Sequence, residues 1–283
     1  MFPADNVWHA DVSSLASSSS SAAWVSSIGS ASHVHADFGS GEWEGGPIGI
    51  PSVTVGAGQT QVPVSFDYGD ESDPGPYPIP SNAPIEGGPA ASGDRHVIVV
   101  DSSSCKLYEV YDAHPSATAW HAGSGAVWDL NSNAMRTSGW TSGDAAGLPI
   151  LPGLVRYDEV AAGRIDHAIR FTAPRTQRAF IWPARHQAGS SSDPSLPPMG
   201  AWFRLRADYD TSRLGPEAKV IAQAMKTHGI ILADNGSSWY LSGSPDERWN
   251  NDDLHTLDPI KGSDFVAVDS TSMMINPDSA QHR

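Results

Sequence analysis

The stretch Asp94-Arg95-His96-Val97-Ile98-Val99-Val100-Asp101 carries the clearest fold information in the chain. Its apolar run is short, rich in β-branched residues and closed by an acid, which predicts a strand over residues 95–101. Because side chains alternate along a strand, His96 should share a face with Asp94 and Ile98. We therefore expect an acid and an imidazole at the entrance of one strand face.

Short runs of the same kind recur along the chain, each bounded by Gly, Pro, Asn or Asp. They predict further strands over residues 62–66, 106–111, 165–171, 179–182, 201–207, 230–234, 238–242 and 264–268. Many short strands separated by turn residues are typical of sandwiches and jelly rolls. The sequence thus predicts a mainly β protein, built as a single-domain β-sandwich or jelly roll.

Helices and loops complete this prediction. Apolar spacing and Pro/Gly boundaries predict two or three short helices, over residues 216–228, 155–162 and 252–257. Between the strands run long Pro/Gly-rich loops, of which residues 67–93 form the longest. We place the β-rich domain at residues 31–283 and expect residues 1–30, with their serine tract, to form an exposed N-terminal segment.

Composition excludes several classes of partner. The 283 residues hold 32 acids against 17 bases, for a formal net charge of −15. Binding to nucleic acid or to an anionic membrane needs clustered Lys and Arg, and here they are scattered. No apolar run approaches the ~20 residues of a membrane-spanning helix. We expect no nucleic-acid partner and no membrane insertion.

The N-terminus and the composition bear on localisation. Met1 to Asp5 lack the basic and apolar regions of a secretory signal, which fits either a mature exported chain with an added Met or a cytosolic start. Abundant Ser, Gly and Pro and only four lysines favour export. We expect an extracellular or periplasmic protein.

Ten tryptophans are unusual for this length, and several stand beside charged or turn residues. Examples are Trp43 between two glutamates, Trp140 after Gly139 and Trp182 before Pro183. Indoles set among carboxylates and amides are typical of surfaces that hold sugar rings. The alternative is that these rings fill a β-rich core.

Several segments, taken together, resemble a family of secreted bacterial proteins of unassigned activity. They are residues 70–80, 85–88, 93–96, 146–150, 164–169 and 233–236. The resemblance covers nearly the whole chain and implies export and a single domain. It implies no catalytic residue, so the chemistry has to come from the residues themselves.

Paired carboxylates are what glycosidic cleavage requires, one protonated to assist the leaving oxygen and one ionised as nucleophile or base. Glu86 is the candidate acid, because its apolar neighbours should raise its pKa and Gly87-Gly88 open the backbone to a ligand. Asp94 is the candidate ionised partner, and His96 the candidate orienting or proton-carrying group. The alternative is that Glu86 only caps a turn.

Candidate substrate-binding residues lie elsewhere in the chain. If the strand continues past Pro183, Trp182 and His186 share one face, as expected of a cleft floor, and Trp140 is a second sugar platform. His167 lies on an apolar strand face, where it is either a core residue or a functional one. A lyase acting on uronates would instead use His96, His186, Arg185 and Tyr77.

Metal binding is a further possibility. The acids Asp70, Glu71 and Asp73 gather hard oxygen ligands on one loop and are candidates for structural calcium. His33 and His35, with Asp37 two residues on, have the spacing of a transition-metal site, although this spacing is common by chance. We expect no required cofactor.

The leading hypothesis is a secreted carbohydrate-active enzyme that cleaves a polysaccharide by carboxylate acid/base chemistry, in the manner of a glycoside hydrolase. A non-catalytic carbohydrate-binding or cell-envelope protein is the alternative. A His-ligated metalloenzyme or a polysaccharide lyase is third. Motifs for nucleotide, nicotinamide, zincin and α/β-hydrolase chemistry are absent from the sequence.

Overall fold

The protein is described by a computed structural model of residues 1–283, in which strands predominate over helices. The mainly β prediction is confirmed. The strands are β1 (His35–Asp37), β2 (Glu42–Trp43), β3 (Gly46–Pro47), β4 (Ser52–Val55), β5 (Val64–Phe66), β6 (Val97–Asp101), β7 (Lys106–Tyr111), β8 (His114–Pro115), β9 (Trp120–Ala122), β10 (Ser124–Asp129), β11 (Ile169–Ala173), β12 (Trp202–Leu205), β13 (Ile230–Asn235), β14 (Tyr240–Ser242) and β15 (Phe265–Ala267).

The helices lie between the strands or beside them. The α-helices are α1 (Ser21–Ile28), α2 (Tyr157–Ala161), α3 (Pro216–Thr227) and α4 (Asn251–Leu254). Short 3₁₀ turns cover Val7–His9, Gly69–Glu71, Leu151–Gly153, His255–Leu257 and Gly262–Asp264. None of the helices has the length and apolar character needed to cross a bilayer.

Ten strands form two larger sheets. The main sheet has the order β1-β14-β11-β13-β12-β15, with parallel pairs β1/β14 and β11/β13 and antiparallel pairs elsewhere. The second sheet has the order β10-β7-β6-β4, in which only β4/β6 is parallel. A small three-stranded sheet, β5-β9-β8, and the hairpin β2-β3 complete the set.

The main sheet is covered by the largest core of the molecule, and the N-terminal residues belong to that core. Val7, Trp8 and Val12 are at most 2 % exposed, and the Val12 amide donates to the carbonyl of Thr227. Val25 and Ile28 of α1 are buried in the same core. The prediction of an exposed segment over residues 1–30 is therefore wrong, because its apolar residues pack against the main sheet.

The second sheet buries both of its faces. Val97 and Val99 of β6 pack with Tyr77 and Trp120 towards the small sheet. Ile98, on the other face, packs with Leu107 and with the apolar segment 150–154. This explains why β6 is an almost unbroken apolar run, since a strand buried on both sides has no polar face.

Most predicted strands and all three predicted helices are present at nearly the predicted positions. Two differences matter for the site. Residues 179–182 make only an isolated bridge, from Phe180 to Met199. β6 begins at Val97 because Arg95 adopts a φ of 50°, in the left-handed region, and its buried guanidinium donates to the carbonyls of Pro89, Ala91 and Ala113. Arg95 thereby anchors the loop that carries Glu86.

We expect Trp239→Ala to destabilise the fold by about 3–5 kcal/mol, because the ring is fully buried between Phe171 and Phe265, with centroids 5.5 and 5.1 Å away. Trp43→Ala is the matched control, because Trp43 is 71 % exposed, and it should change stability by less than about 0.5 kcal/mol. Urea unfolding measures both. Equal losses in the two variants would contradict this assignment of the core.

Candidate functional site

Three cavities adjoin one another through shared lining residues. The Trp43 cavity, of about 590 Å³, shares Asp37, Glu86 and Tyr240 with a central cavity of about 190 Å³. The central cavity in turn shares Asp94 and Asn235 with the Tyr68 cavity, of about 510 Å³. We call the three together the groove.

The groove lies between the main sheet and the residues that immediately precede β6. From the main sheet come Asp37 at the end of β1, Arg170 of β11 and Asp234 of β13. From the other side come Asp94 and His96, just before β6, and the loop bearing Glu86. The β2-β3 hairpin packs closely on that loop, since a Cβ added to Gly46 would lie 2.1 Å from the carbonyl carbon of Gly87. This close approach holds Trp43 at one end of the groove.

His96 and Glu86 form a buried ion pair at the centre. Nδ1 of His96 lies 2.6 Å from Oε2 of Glu86, and Nε2 lies 2.9 Å from the carbonyl oxygen of Gly143. The carbonyl of Gly143 only accepts, so Nε2 of His96 carries a proton, and an ionised Glu86 requires a second proton on Nδ1. Although burial lowers the pKa of His96, the Glu86 carboxylate raises it to about 9. His96 is therefore an imidazolium at neutral pH.

The ion pair also sets the charge of Glu86. Burial alone would raise the pKa of this carboxyl, but the His96 cation and its hydrogen bond hold the pKa below its ordinary value. The expectation that Glu86 is a protonated acid with a raised pKa is wrong for this reason. Glu86 is ionised, and its side chain, 26 % exposed, faces the groove.

Asp37 has the opposite environment. It lines both the Trp43 cavity and the central cavity together with Glu86. Desolvation by the surrounding protein raises its pKa and the negative charge of Glu86 adds to that effect, whereas His35 and Arg170 oppose it and the residue keeps contact with solvent. Two carboxyls whose surroundings push their pKa values apart are the usual arrangement of an acid and a base.

Arg170 organises a second group of acids. Its guanidinium binds Asp144 through Nε and Nη2, at 2.8 and 2.6 Å, and donates to Oγ of Ser242 at 2.6 Å. Asp234 is only at the edge of this cluster, 3.4 Å from Nη2. Burial and the neighbouring Asp144 raise the pKa of Asp234 to about 8, although Arg170 opposes them.

Exposed aromatic side chains lie at both ends of the groove. Six of the ten tryptophans are buried and three are half-buried, so most of them fill the core. The exposed exceptions among the large aromatics are Trp43, at 71 %, and Tyr68, at 55 %. One lines each outer cavity.

The groove brings together about half of the residues predicted from the sequence. Glu86, Asp94 and His96 line the central cavity. Glu71 and His186 line the Tyr68 cavity, and Nδ1–H of His186 donates to the carbonyl of Ala145. The predicted groups that line the Trp43 cavity are His35 and Asp37, and the ring of His35 is tilted by 38° against that of Tyr240 with centroids 4.4 Å apart.

The other predicted substrate-binding residues lie away from the groove, where their side chains are held by contacts within the protein. Tyr77 is fully buried and donates to the carbonyl of Asp73. His167 is buried against Glu159, and Arg185 is buried with its guanidinium on Arg136, Pro277 and Asp278. These three predictions are corrected, since a ligand in the groove cannot reach such side chains.

The two tryptophans predicted as sugar platforms are also displaced from the groove. Trp182 is half-buried against the main core, and its indole N–H donates to the carbonyl of Ser279 at 2.9 Å. Trp140 stacks with the guanidinium of Arg136, 5.6 Å from the ring centroid. The predicted strand face fails beyond Phe180, so Trp182 and His186 do not share a cleft floor.

The predicted metal ligands are engaged in other contacts. Asp73 pairs with Arg136 and accepts from the amide of Val127, while Glu71 accepts from the amide of Thr141. Asp70 is exposed. Nδ1 of His33 lies 2.5 Å from the carbonyl of Asp258. No group of three or more His, Cys, Asp or Glu side chains is arranged to hold a metal ion.

Sequence reasoning missed Arg170, Asp144 and Asp234, and it treated Asp37 only as a metal ligand. The sequence does contain a pattern that indicates Asp234 as a site residue, because a polar Asp-Asn-Gly directly follows the apolar residues of β13. Such residues at a strand end face the loops, where sites are built.

Comparisons with known proteins give no information about the function of this chain. No family model matches the chain, and no curated protein and no solved structure is significantly similar to it.

The His96–Glu86 pair should make stability depend on pH in a defined window. The pKa of His96 rises from 6.5 to about 9 on folding, so its contribution is complete below pH 6.5 and is lost as the pH passes 9. The lowered pKa of Glu86 gives a contribution that is complete above pH 4.5 and is lost on acidification. We expect a fall of roughly 3 kcal/mol in unfolding free energy between pH 6.5 and 9.5.

Urea unfolding of the parent and of His96→Gln across this range measures the effect, because glutamine removes the titrating group. His114→Gln is the control, since His114 is an exposed histidine paired with Asp112. A His96→Gln variant with the same alkaline fall as the parent would show that the ion pair does not cause it.

Proposed function

We propose that this protein is an enzyme that cleaves a polysaccharide in the groove by carboxylate acid/base chemistry, as glycoside hydrolases do. The observation that carries the proposal is the pair Asp37 and Glu86 at the junction of two cavities, with pKa values displaced in opposite directions. Hydrolysis of a glycosidic bond needs one protonated and one ionised carboxyl in one site.

The shape of the groove supports an extended polymer as substrate. Its two outer cavities, of about 590 and 510 Å³, each have the volume of a small-molecule site, and the catalytic pair lies between them. Trp43 and Tyr68 offer exposed ring faces at the two ends. Sugar C–H faces pack on such rings while the polar groups between them bind hydroxyls.

The roles of the two carboxyls follow from their surroundings. Asp37, with its raised pKa, donates a proton to the glycosidic oxygen as the bond to the anomeric carbon breaks. Glu86, kept ionised by His96, acts as nucleophile or as the base that removes a proton from water. Water supplies the hydroxyl of the new reducing end, and the leaving sugar keeps the proton from Asp37.

In this proposal Asp94 is the third carboxylate of the central cavity.

The lyase alternative is less well supported, because a uronate carboxylate needs a free cation to bind and the guanidinium of Arg170 is already held by Asp144. No unpaired Arg or Lys lines any of the three cavities.

We also propose that the main sheet and the second sheet act as the two layers of a β-sandwich that encloses the groove. The segment around residues 148–154 supports this arrangement, because Leu148 packs in the main core while Ile150 and Leu151 pack on the second sheet. Export from the cytoplasm remains part of the proposal, supported by the scarcity of lysine and the abundance of Ser, Gly and Pro.

Loss of either carboxyl should abolish cleavage without unfolding the protein. We expect Glu86→Gln and Asp37→Asn each to lower the rate of reducing-end release by about 10²- to 10⁴-fold, since each removes one half of the acid/base pair. Release is measured across a panel of neutral, acidic and amine-bearing glycans. The controls Glu247→Gln and Asp70→Asn remove exposed carboxylates outside the groove and should keep full activity. Binding without reducing ends from any glycan would leave the non-catalytic carbohydrate-binding alternative.

The exposed rings should contribute to binding and not to stability. We expect Trp43→Ala and Tyr68→Ala each to weaken oligosaccharide binding about tenfold, the equivalent of about 1.4 kcal/mol, with an unchanged melting temperature. Ile275→Ala is the control, because Ile275 is 48 % exposed and lies outside the groove. Fluorescence titration reports both affinities, and unaltered binding in both variants would remove these rings from the site.

A further inference from the structure

The Tyr68 cavity has more negative charge than its surroundings balance. Its lining includes Glu71, Asp94, Asp144 and Asp234, and neither Lys nor Arg is among its residues. The lining also includes His186, whose Nε2 lies 3.8 Å from Oε2 of Glu71. The nearest cation, Arg170, directs two of its nitrogens to Asp144 and a third to Ser242. Asp144 is thus neutralised by Arg170, and Asp234 lies 3.4 Å from the same guanidinium, whereas Asp94 has no cation partner.

Asp94 and Asp234 face the cavity with spare acceptor capacity. Asp94 is exposed, and its carboxylate makes no hydrogen bond or ion pair within the protein. Asp234 accepts from the backbone amide of Asn235 at 2.7 Å and from Nη2 of Arg170 at 3.4 Å. The negative charge of Asp94 contributes to the raised pKa of Asp234, which places the two carboxyls within electrostatic range of each other.

Two tyrosine rings complete the cavity. Tyr68 is 55 % exposed, and Tyr111 lines the same space. A cation over an aromatic face is attracted by the ring quadrupole, so carboxylates flanked by tyrosines form a favourable environment for positive charge.

We propose that the Tyr68 cavity binds a protonated amine of the glycan, so that the substrate of the groove is an amine-bearing polysaccharide. This inference rests on the proposed function, because it assigns the sugar that occupies one half of the same groove. An ammonium group brings N–H donors and no acceptor, which matches the unpartnered carboxylate of Asp94, and Asp234 becomes a second acceptor once it loses its proton. A sugar acid would meet uncompensated like charge and is rejected.

An amine fits this cavity better than a metal ion does. A structural cation needs several converging oxygen ligands, and no three acidic or imidazole side chains of the protein converge in that way. A sugar amine needs only one or two carboxylates and a ring face, which Asp94, Asp234 and Tyr68 provide.

The test uses the Glu86→Gln variant, so that binding is measured without turnover. The probes are β-1,4-linked tetramers of glucosamine, of N-acetylglucosamine and of glucose, which differ only in the substituent at C2. In calorimetric titrations at pH 6 and low salt, we expect the glucosamine tetramer to bind at least tenfold more tightly than the other two. The preference should shrink as salt is added, because it is electrostatic.

Asp94→Asn, added to the Glu86→Gln variant, should reduce the preference to less than threefold. Asp166→Asn is the matched control, since Asp166 is an exposed aspartate paired with Arg164 and lies outside the groove, and it should leave the preference intact. A glucosamine tetramer that fails to bind, that binds no better than the glucose tetramer, or whose advantage survives Asp94→Asn overturns the inference. Displacement of the amine by calcium at equal concentration does the same, in favour of a metal site.

Proton exchange gives a second readout. Well below the pKa of a sugar amine, any proton released on binding comes from the protein, and Asp234 is the group expected to ionise beside an ammonium ion. Titrations at pH 5 in two buffers of different ionisation enthalpy should show release with the glucosamine tetramer and none with the glucose tetramer. Equal exchange with both would count against the amine.

Binding and cleavage separate this inference from the proposed function. Tight amine binding by a parent protein that cleaves no glycan would preserve the inference and refute the hydrolase. Cleavage of neutral glycans with no preference for the amine would preserve the hydrolase and refute the inference.

Discussion

The buried guanidinium of Arg170 is the constraint on which the rest of the site depends. It lies on β11 in the middle of the main sheet and ties the sheet to the loop at Asp144, to β14 through Ser242 and to β13 through Asp234. A buried charge is tolerated only when it is paired and fully hydrogen-bonded, so these neighbours have little freedom to move. Its positive charge also acts on Asp37, Glu86 and Asp234. Arg170 thus holds the elements that line the groove in position and influences the charge of their acids.

The acids of the groove differ because each has a different neighbour. Glu86 is next to an imidazolium, Asp144 next to Arg170, Asp37 next to another carboxylate, and Asp94 next to open space. Carboxyl groups of the same chemistry therefore differ in pairing and in the direction of their pKa shifts within a short stretch of surface. Such differences between neighbouring carboxyls are what the proposed acid/base catalysis requires.

Local patterns predicted the elements well because they reflect local physics. The short apolar run of β6, and the Pro and Gly residues that bound α3, depend on neighbours in sequence, and the structure has these elements where the sequence predicts them. Glu86, Asp94 and His96 could be grouped because all three precede one strand. Arg170 and Asp234 could not, since they meet only through the strand order of the main sheet, which periodicity does not encode. The charge of Glu86 was mispredicted because it depends on His96 and, through His96, on the carbonyl of Gly143.

The strand order of the main sheet has a consequence for how the molecule is made. Its edge strands, β1 and β15, come from opposite ends of the sequence, and β1 pairs with β14 rather than with any early strand. A chain emerging from the ribosome must therefore hold β1 and the apolar N-terminal residues unpaired until almost all of it has been synthesised. Contacts of such long range slow folding and leave strand edges open to aggregation. We expect the nascent chain to depend on holdase chaperones, and no fragment ending before β14 to assemble the groove.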